Sequence, residues 1–160
     1  MNNWILIVAV SAVLGSALVG GIFYAFSTFV MKALGCLPFQ EGIRAMQSIN
    51  IVVINPAFLG VFMGTAVASL VLASVSLTPL VESNSYWFLI GGLCYIVGTF
   101  GVTGIFNVPL NNQLASVSQS VAEGEVRWSH YLERWTFWNH IRTTASMASA
   151  LLILVGLIKL

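Results

Sequence analysis

The stretch WTFWNHIRTTASMASALLILVGLIKL, residues 135–160, decides the fold. It is apolar and long enough to cross a bilayer, which takes about 20 such residues in a helix. Its first third nevertheless carries Asn139, His140 and Arg142. A charged side chain at mid-bilayer costs about 2.5 to 3.5 kcal/mol on insertion scales and less near an end. The stretch therefore predicts a membrane span with either a snorkelling terminus or a polar site at its start.

The rest of the chain supports the same reading. Of 160 residues, 58% are hydrophobic and 7% charged, with mean hydropathy +0.93, whereas a soluble domain has about 25% charged residues. Four apolar runs, about 4–30, 51–77, 86–106 and 135–158, predict an all-α integral membrane four-helix bundle forming one domain over 1–160. The first run follows MNN without a basic region and exceeds the roughly 7 to 15 residues of a signal-peptide core, so it reads as a retained span. The net charge of +1 provides no basic footprint, and nucleic acid is not an expected partner. Cys36 and Cys94 sit at different expected depths and read as reduced thiols.

Lys32 and Arg44 lie between spans one and two, and Arg127 and Arg134 between spans three and four, leaving Lys159 on the other side. The positive-inside rule makes both basic loops cytoplasmic and both termini external. Trp4, Tyr86 and Trp87 then mark the outer interface, and Trp128, Tyr131, Trp135 and Trp138 the inner one. Small residues recur at packing intervals: Ala12, Ser16 and Gly20; Gly60, Gly64 and Ala68; Gly91, Cys94, Gly98 and Gly101; Ala145, Ser149 and Gly156. Such seams let helix backbones approach where lipid supplies no hydrophobic drive.

The loops QEGIRAMQSIN (40–50) and VPLNNQLASVSQSVAEGEVRWSHYLER (108–134) are long enough for short cytoplasmic helices. Pro109 fits a helix first turn, Gly124 is expected to break the helix before span four, and Pro56 to kink or reset span two. The polar residues concentrate at the same end. Gln47, Asn50 and Asn55 open span two, Asn107, Asn111 and Asn112 follow span three, and Asn139, His140 and Arg142 open span four, with Tyr24 and Ser27 level with them. A polar pocket roofed by the loop helices would satisfy groups that are costly to leave unpaired in hydrocarbon.

Trp128, Tyr131, Trp135, Trp138 and Arg142 recur at steps of three or four and share a helix face with Asn139. His140 projects roughly 100° from Asn139 and about 160° from Arg142 on an ideal helix. For single residues the structural alternatives are plain: Arg142 snorkels, the tryptophans anchor at the interface, and each asparagine glues helices for about 0.6 kcal/mol. Convergence of so many asparagines at one depth points to a site. His130 and His140 stand ten residues apart with no further ligand at metal spacing, so no zinc, di-iron or haem set is expected.

The stretches AMQSINIVVINPAF (45–58), FNVPLNNQLA (106–115) and WSHYLERWTFWNHIRTTASMASALL (128–152) resemble the anthrone-oxygenase-like family of small four-span membrane proteins. The shared pattern is N-P-x-F, then P-L-N-N, then W-x-x-W-N-x-x-R-T, with FYAFS (23–27) in the first span. The resemblance carries over Asn50, Asn55 and Pro56; Asn107, Pro109, Asn111 and Asn112; and Trp135, Trp138, Asn139 and Arg142. It implies oxidation of a flat, apolar phenolic substrate without a cofactor. In that scheme a base, His140 or His130, removes a C–H proton, and the resulting enolate reduces O₂. Arg142, Asn139 and Asn111 hold the oxyanion, while Asn50, Asn55, Asn107, Asn112, Tyr131, Trp135 and Trp138 bind the rings. The alternative is a non-catalytic protein that binds lipid or a small amphiphile, or that assembles as a homo-oligomer.

Overall fold

The computed structural model describes residues 2–80, 86–117 and 121–159, all of its regular structure helical. Four helices are long and apolar enough to cross a membrane: Asn3–Gly35, Pro56–Val75, Tyr86–Ala115 and Glu123–Ile158. The protein is a multi-pass membrane protein built as a four-helix bundle. Span one consists of α1 (Asn3–Ala25), a π-helical turn (Phe26–Val30) and α2 (Met31–Gly35). A separate helix, α3 (Phe39–Val52), precedes span two, α4 (Pro56–Val75). Span three runs through α5 (Tyr86–Leu93), π-helical Cys94–Gly101 and Thr103–Asn107, and α6 (Val108–Ala115). Span four is α7 (Val121–Ile158).

Helix α1 packs on α4 and α7, and α5 packs on the same two, so the spans close a ring. Helix α3 lies against α2, α6 and α7 and covers one end. At the opposite end, which carries the termini, Ile5, Ala9, Ala12, Leu72, Phe88 and Ile153 form a closed core. Hydroxyls join helices along the interior: Ser16 Oγ meets Ser149 Oγ at 3.3 Å, and Thr99 Oγ1 meets Ser146 Oγ at 2.9 Å.

Several expectations need correction. Span two begins at Pro56, not 51, because Pro56 has no N–H to offer a preceding turn and instead starts α4. Asn55 caps it: its Oδ1 accepts from Phe58 N at 3.0 Å, and its Nδ2 donates to Val52 O at 2.9 Å. Pro109 does fall in the first turn of α6, as expected, and α6 continues the line of span three. Gly124 lies inside α7 and breaks nothing. Gly60 and Gly64 face away from the bundle, with nothing within 4 Å of a built Cβ. Span two packs instead through Phe62, Thr65, Ser69, Leu72 and Ala73. Of the expected seam glycines, Gly91 comes close to Ile153, Gly98 to Ala145 Cβ at 2.5 Å and Gly156 to Phe88 at 2.9 Å.

Candidate site at the loop-helix end

On α7, Trp135, Asn139 and Arg142 are spaced i, i+4, i+7 and project to one side. All three are buried. The guanidinium of Arg142 donates from Nη2 to Asn139 Oδ1 at 2.7 Å and from Nη1 to Thr103 Oγ1 at 3.3 Å. It also lies 4.1 Å from the Phe23 ring centroid and 4.9 Å from that of Trp135. Two desolvated cation–π contacts contribute about 2 kcal/mol or more each. Its Nε has no acceptor, and among the described residues no carboxylate lies within salt-bridge reach of it. Phe23, Trp135 and the neutral amide and hydroxyl offset part of the cost of burying this charge, but no counter-charge completes it.

The nitrogen of the same Asn139 carboxamide ties span four to span one, Nδ2 donating to Phe23 O at 2.7 Å and to Ser27 Oγ at 2.8 Å. Phe23 O lies just ahead of the π turn at Phe26–Val30, where the main-chain ladder changes from i−4 to i−5 bonding. Ser27 Oγ continues to Thr143 Oγ1 at 3.1 Å. Asn139 therefore orients Arg142 and clasps two helices at once.

Asn111, on α6, fixes the aromatic wall. Its Oδ1 accepts from Tyr131 Oη and from Trp135 Nε1, each at 2.8 Å. Asn107 is fully buried and donates from Nδ2 to Trp135 O at 3.3 Å, its own Oδ1 remaining without a donor. Trp128, Tyr131 and Trp135 are core residues packed with Met31, Leu34, Ile43, Met46 and Leu114. They are covered by α2, α3 and α6, which corrects their reading as interface anchors.

Between these walls lies a cavity of about 300 Å³, reached by all four spans and roofed by α3. Phe23, Phe26, Phe58 and Phe62 supply aromatic surface, while Asn50, Thr103, Asn111 and Arg142 supply the polar groups. Few polar groups in a mostly apolar concavity is the common design of a small-molecule site. A second, more open cleft of about 590 Å³ shares Asn50, Ile54, Val108 and Asn111 with it and adds Gln47 and Asn112, forming a mouth between α3 and α6. Ile51, Val52 and Ile54, on the turn beside that mouth, are each about 70% exposed.

Of the residues expected at the site, Arg142, Trp135, Asn50 and Asn111 line the inner cavity, and Asn139 stands behind Arg142. Asn112 is at the mouth, Asn55 caps α4, and Trp138 stacks on Phe106 with centroids 3.6 Å apart. Tyr131 supports Asn111 from behind. His140 is exposed in a groove with Lys32 and Glu133, and His130 lines a cleft with Gln113 and Arg127; neither lines the cavity. Among the described residues no three His, Cys, Asp or Glu side chains converge, and no ligand set is assigned.

Sequence reasoning missed Phe23, Phe58, Phe62 and Thr103. The phenylalanines had a signal, since Phe58 belongs to the N-P-x-F element and Phe62 follows one helical turn later.

No curated protein and no solved structure matches the chain. The family model described as anthrone oxygenase matches residues 53–152, which include α4, all of span three and the Trp135, Asn139 and Arg142 face. Matching more than half of its length, the chain belongs to the anthrone oxygenase family.

Proposed function

We propose that the protein oxidises a flat, apolar phenolic substrate of the anthrone type with O₂ inside the α3-roofed cavity. The observation that carries this reading is Arg142: a buried guanidinium on an aromatic wall, its Nε without an acceptor and no carboxylate beside it among the described residues. Such a group raises the acidity of a bound keto or phenol tautomer by holding its oxyanion where water cannot compete. Phe23, Phe58, Phe62 and Trp135 hold the rings. Asn139 and Thr103 keep the guanidinium aimed, and Asn111 keeps Trp135 in place.

The reaction balances without a further reductant. The activated methylene loses a proton, the enolate transfers electrons to O₂ and forms a C–O bond, and loss of water leaves a carbonyl. One oxygen atom ends in the carbonyl and the other in water. The described cavity wall holds neither imidazole nor carboxylate, so the proton passes to water at the Gln47, Asn50 and Asn112 mouth. Lys32, Arg44, Arg127 and Arg134 gather at this end, which favours a cytoplasmic mouth and external termini. The exposed Ile51, Val52 and Ile54 suit uptake of the substrate from that leaflet.

The test is O₂ uptake by the detergent-purified protein with 1,8-dihydroxyanthrone at neutral pH, against a protein-free blank. Removing a stabiliser of a developing oxyanion typically costs about 10² to 10³ in rate. Arg142→Ala and Arg142→Lys should fall by that order, the lysine less. Undiminished uptake in a folded Arg142→Ala protein sinks the scheme. No uptake by wild type, with a co-purifying lipid lost from Arg142→Ala, supports the non-catalytic reading as an amphiphile-binding protein.

A further inference from the structure

His140 lies within the apolar run of span four, yet it is exposed on the outside of the bundle. Ionisable side chains inside a span almost always face the protein interior or a partner. Among the described residues the His140 imidazole has neither; its one hydrogen bond from another side chain, donated by Thr144 Oγ1, goes to its main-chain carbonyl. The imidazole instead lines a groove of about 560 Å³ between span one and span four, outside the bundle and separate from the α3-roofed cavity.

The groove is charged at one end. Lys32 stands on the α2 wall and Glu133 on the α7 wall, both exposed, and no ion pair joins them. Lys32 is the one charged residue in positions 2–40, and Glu133 with Arg134 are the last charges on α7 before Arg142. They therefore mark the edge of the hydrocarbon, and the groove descends from it toward His140. The register of the two walls fixes the order of groups. A Cβ on Gly35 would come within 3.3 Å of Leu132 Cδ1, and Asn139 Nδ2 donates to Ser27 Oγ at 2.8 Å, so Lys32 comes level with Thr136. Passing inward, the groove offers the Ser129 hydroxyl and the Glu133 carboxylate, then the Lys32 ammonium and the Thr136 hydroxyl, then the His140 imidazole. Glu133 and His140 are separated by about 10 Å of helix rise.

We propose that this groove binds one phospholipid with a primary-ammonium headgroup, of the phosphatidylethanolamine class. That lipid carries the complementary groups in the same order: ammonium outermost, phosphate beneath it, ester carbonyls deeper still. Glu133 and Ser129 accept from the ammonium, Lys32 and Thr136 donate to the phosphate, and His140 donates to an ester carbonyl. A choline headgroup has no N–H to give Glu133, and the Phe137 ring that could face its methyl groups already has Arg134 at 6.0 Å. A glycerol headgroup leaves Glu133 without a cation. A second copy of the chain could pair Lys32 and Glu133 crosswise, but helical carbonyls are spent in their own ladder, whereas the ester carbonyls at His140's depth are free. The site is independent of the oxygenase reading.

Native mass spectrometry of the full chain released from nanodiscs tests this. The probes are dioleoyl phosphatidylethanolamine, phosphatidylcholine and phosphatidylglycerol, so that the headgroup alone varies. Wild type should retain the ethanolamine lipid at least about tenfold over either of the others, the scale of one hydrogen bond to a charged group. Glu133→Gln should bring the ethanolamine lipid down to the level of the choline lipid, because the carboxylate is what reads the ammonium. Lys32→Gln should weaken all three, since each has a phosphate. Thermal midpoints give a second readout, because a ligand held by the folded state alone stabilises it by mass action. The ethanolamine lipid should raise the midpoint of wild type more than that of Glu133→Gln.

Equal retention of the three lipids by wild type overturns the proposal, as does an ethanolamine preference that survives intact in Glu133→Gln. Displacement of the lipid by soluble O-phosphoethanolamine would make this a site for a free phosphoester and overturn the lipid assignment. Dimers that dissociate in Glu133→Gln, with no lipid retained by wild type, would give the groove to a second copy of the chain and overturn it as well.

Discussion

The two ends of the bundle are built on different rules. At the end carrying the termini, small residues bring backbones together: a Cβ on Gly92 would stand 2.5 Å from Ser69 O, and one on Gly156 2.9 Å from Phe88. Ile5, Ala9, Phe88 and Ile153 fill what remains, each at most 1% exposed. At the α3 end, Phe23, Phe58, Phe62 and Trp135 stand between the helices, two π-helical stretches interrupt the regular ladder, and a cavity of about 300 Å³ persists. Lipid does not push helices together, so van der Waals contact in the seams must hold the bundle. A tight end lets the other end stay open enough to receive a ligand.

This comparison is most strongly broken at Gly92. A valine there meets a main-chain carbonyl and Ala73 Cβ at 3.1 Å, and neither is the movable tip of a side chain. Overpacking of this kind typically costs about 1 to 3 kcal/mol, occasionally more. Gly92→Val is expected at or above the upper figure, read as a large fall in the thermal midpoint in detergent. Wild-type melting would show that the terminal end is not the anchor.

At the open end the matching change is Asn111→Leu. It removes one acceptor shared by two buried donors, Tyr131 Oη and Trp135 Nε1. Stranding buried donors costs about 1 to 3 kcal/mol, and a loss near 2 kcal/mol is expected. The distinguishing readout is the fluorescence of Trp135, whose indole loses its anchor and whose contact with Arg142 loosens. A stability loss without a spectral change would place the effect in α6 packing rather than in the cavity wall.

The four spans could be read from hydropathy alone because crossing a bilayer demands it. Arg142 and Asn139 were legible as partners because α7 is a regular helix and ideal angles apply along it. Span three defeated the same arithmetic. Cys94–Gly101 and Thr103–Asn107 are π-helical, so faces rotate away from a 3.6-residue count, and Thr103 came unannounced beneath Arg142. Span two failed for another reason. Both of its faces are apolar, one toward lipid and one toward protein, so hydrophobic pattern carries no direction, and a Gly60, Gly64, Ala68 seam looked as good as the real one through Thr65 and Ser69.

That failure gives the smallest predicted effect. If Gly60 and Gly64 were seam residues, alanine at either would force helices apart and cost about as much as other overpacking, 1 to 3 kcal/mol. In the structure both positions are open, with nothing within 4 Å of an added Cβ. Alanine also restricts the unfolded backbone more than glycine, an effect of about 0.4 to 1 kcal/mol in the stabilising direction where the conformation is compatible. Gly60→Ala and Gly64→Ala should therefore melt within a degree or two of wild type or slightly above it, with O₂ uptake unchanged. A loss comparable to Gly92→Val would mean that this face meets another surface in the membrane. Cross-linking across it would then show whether that surface is a second copy of the chain.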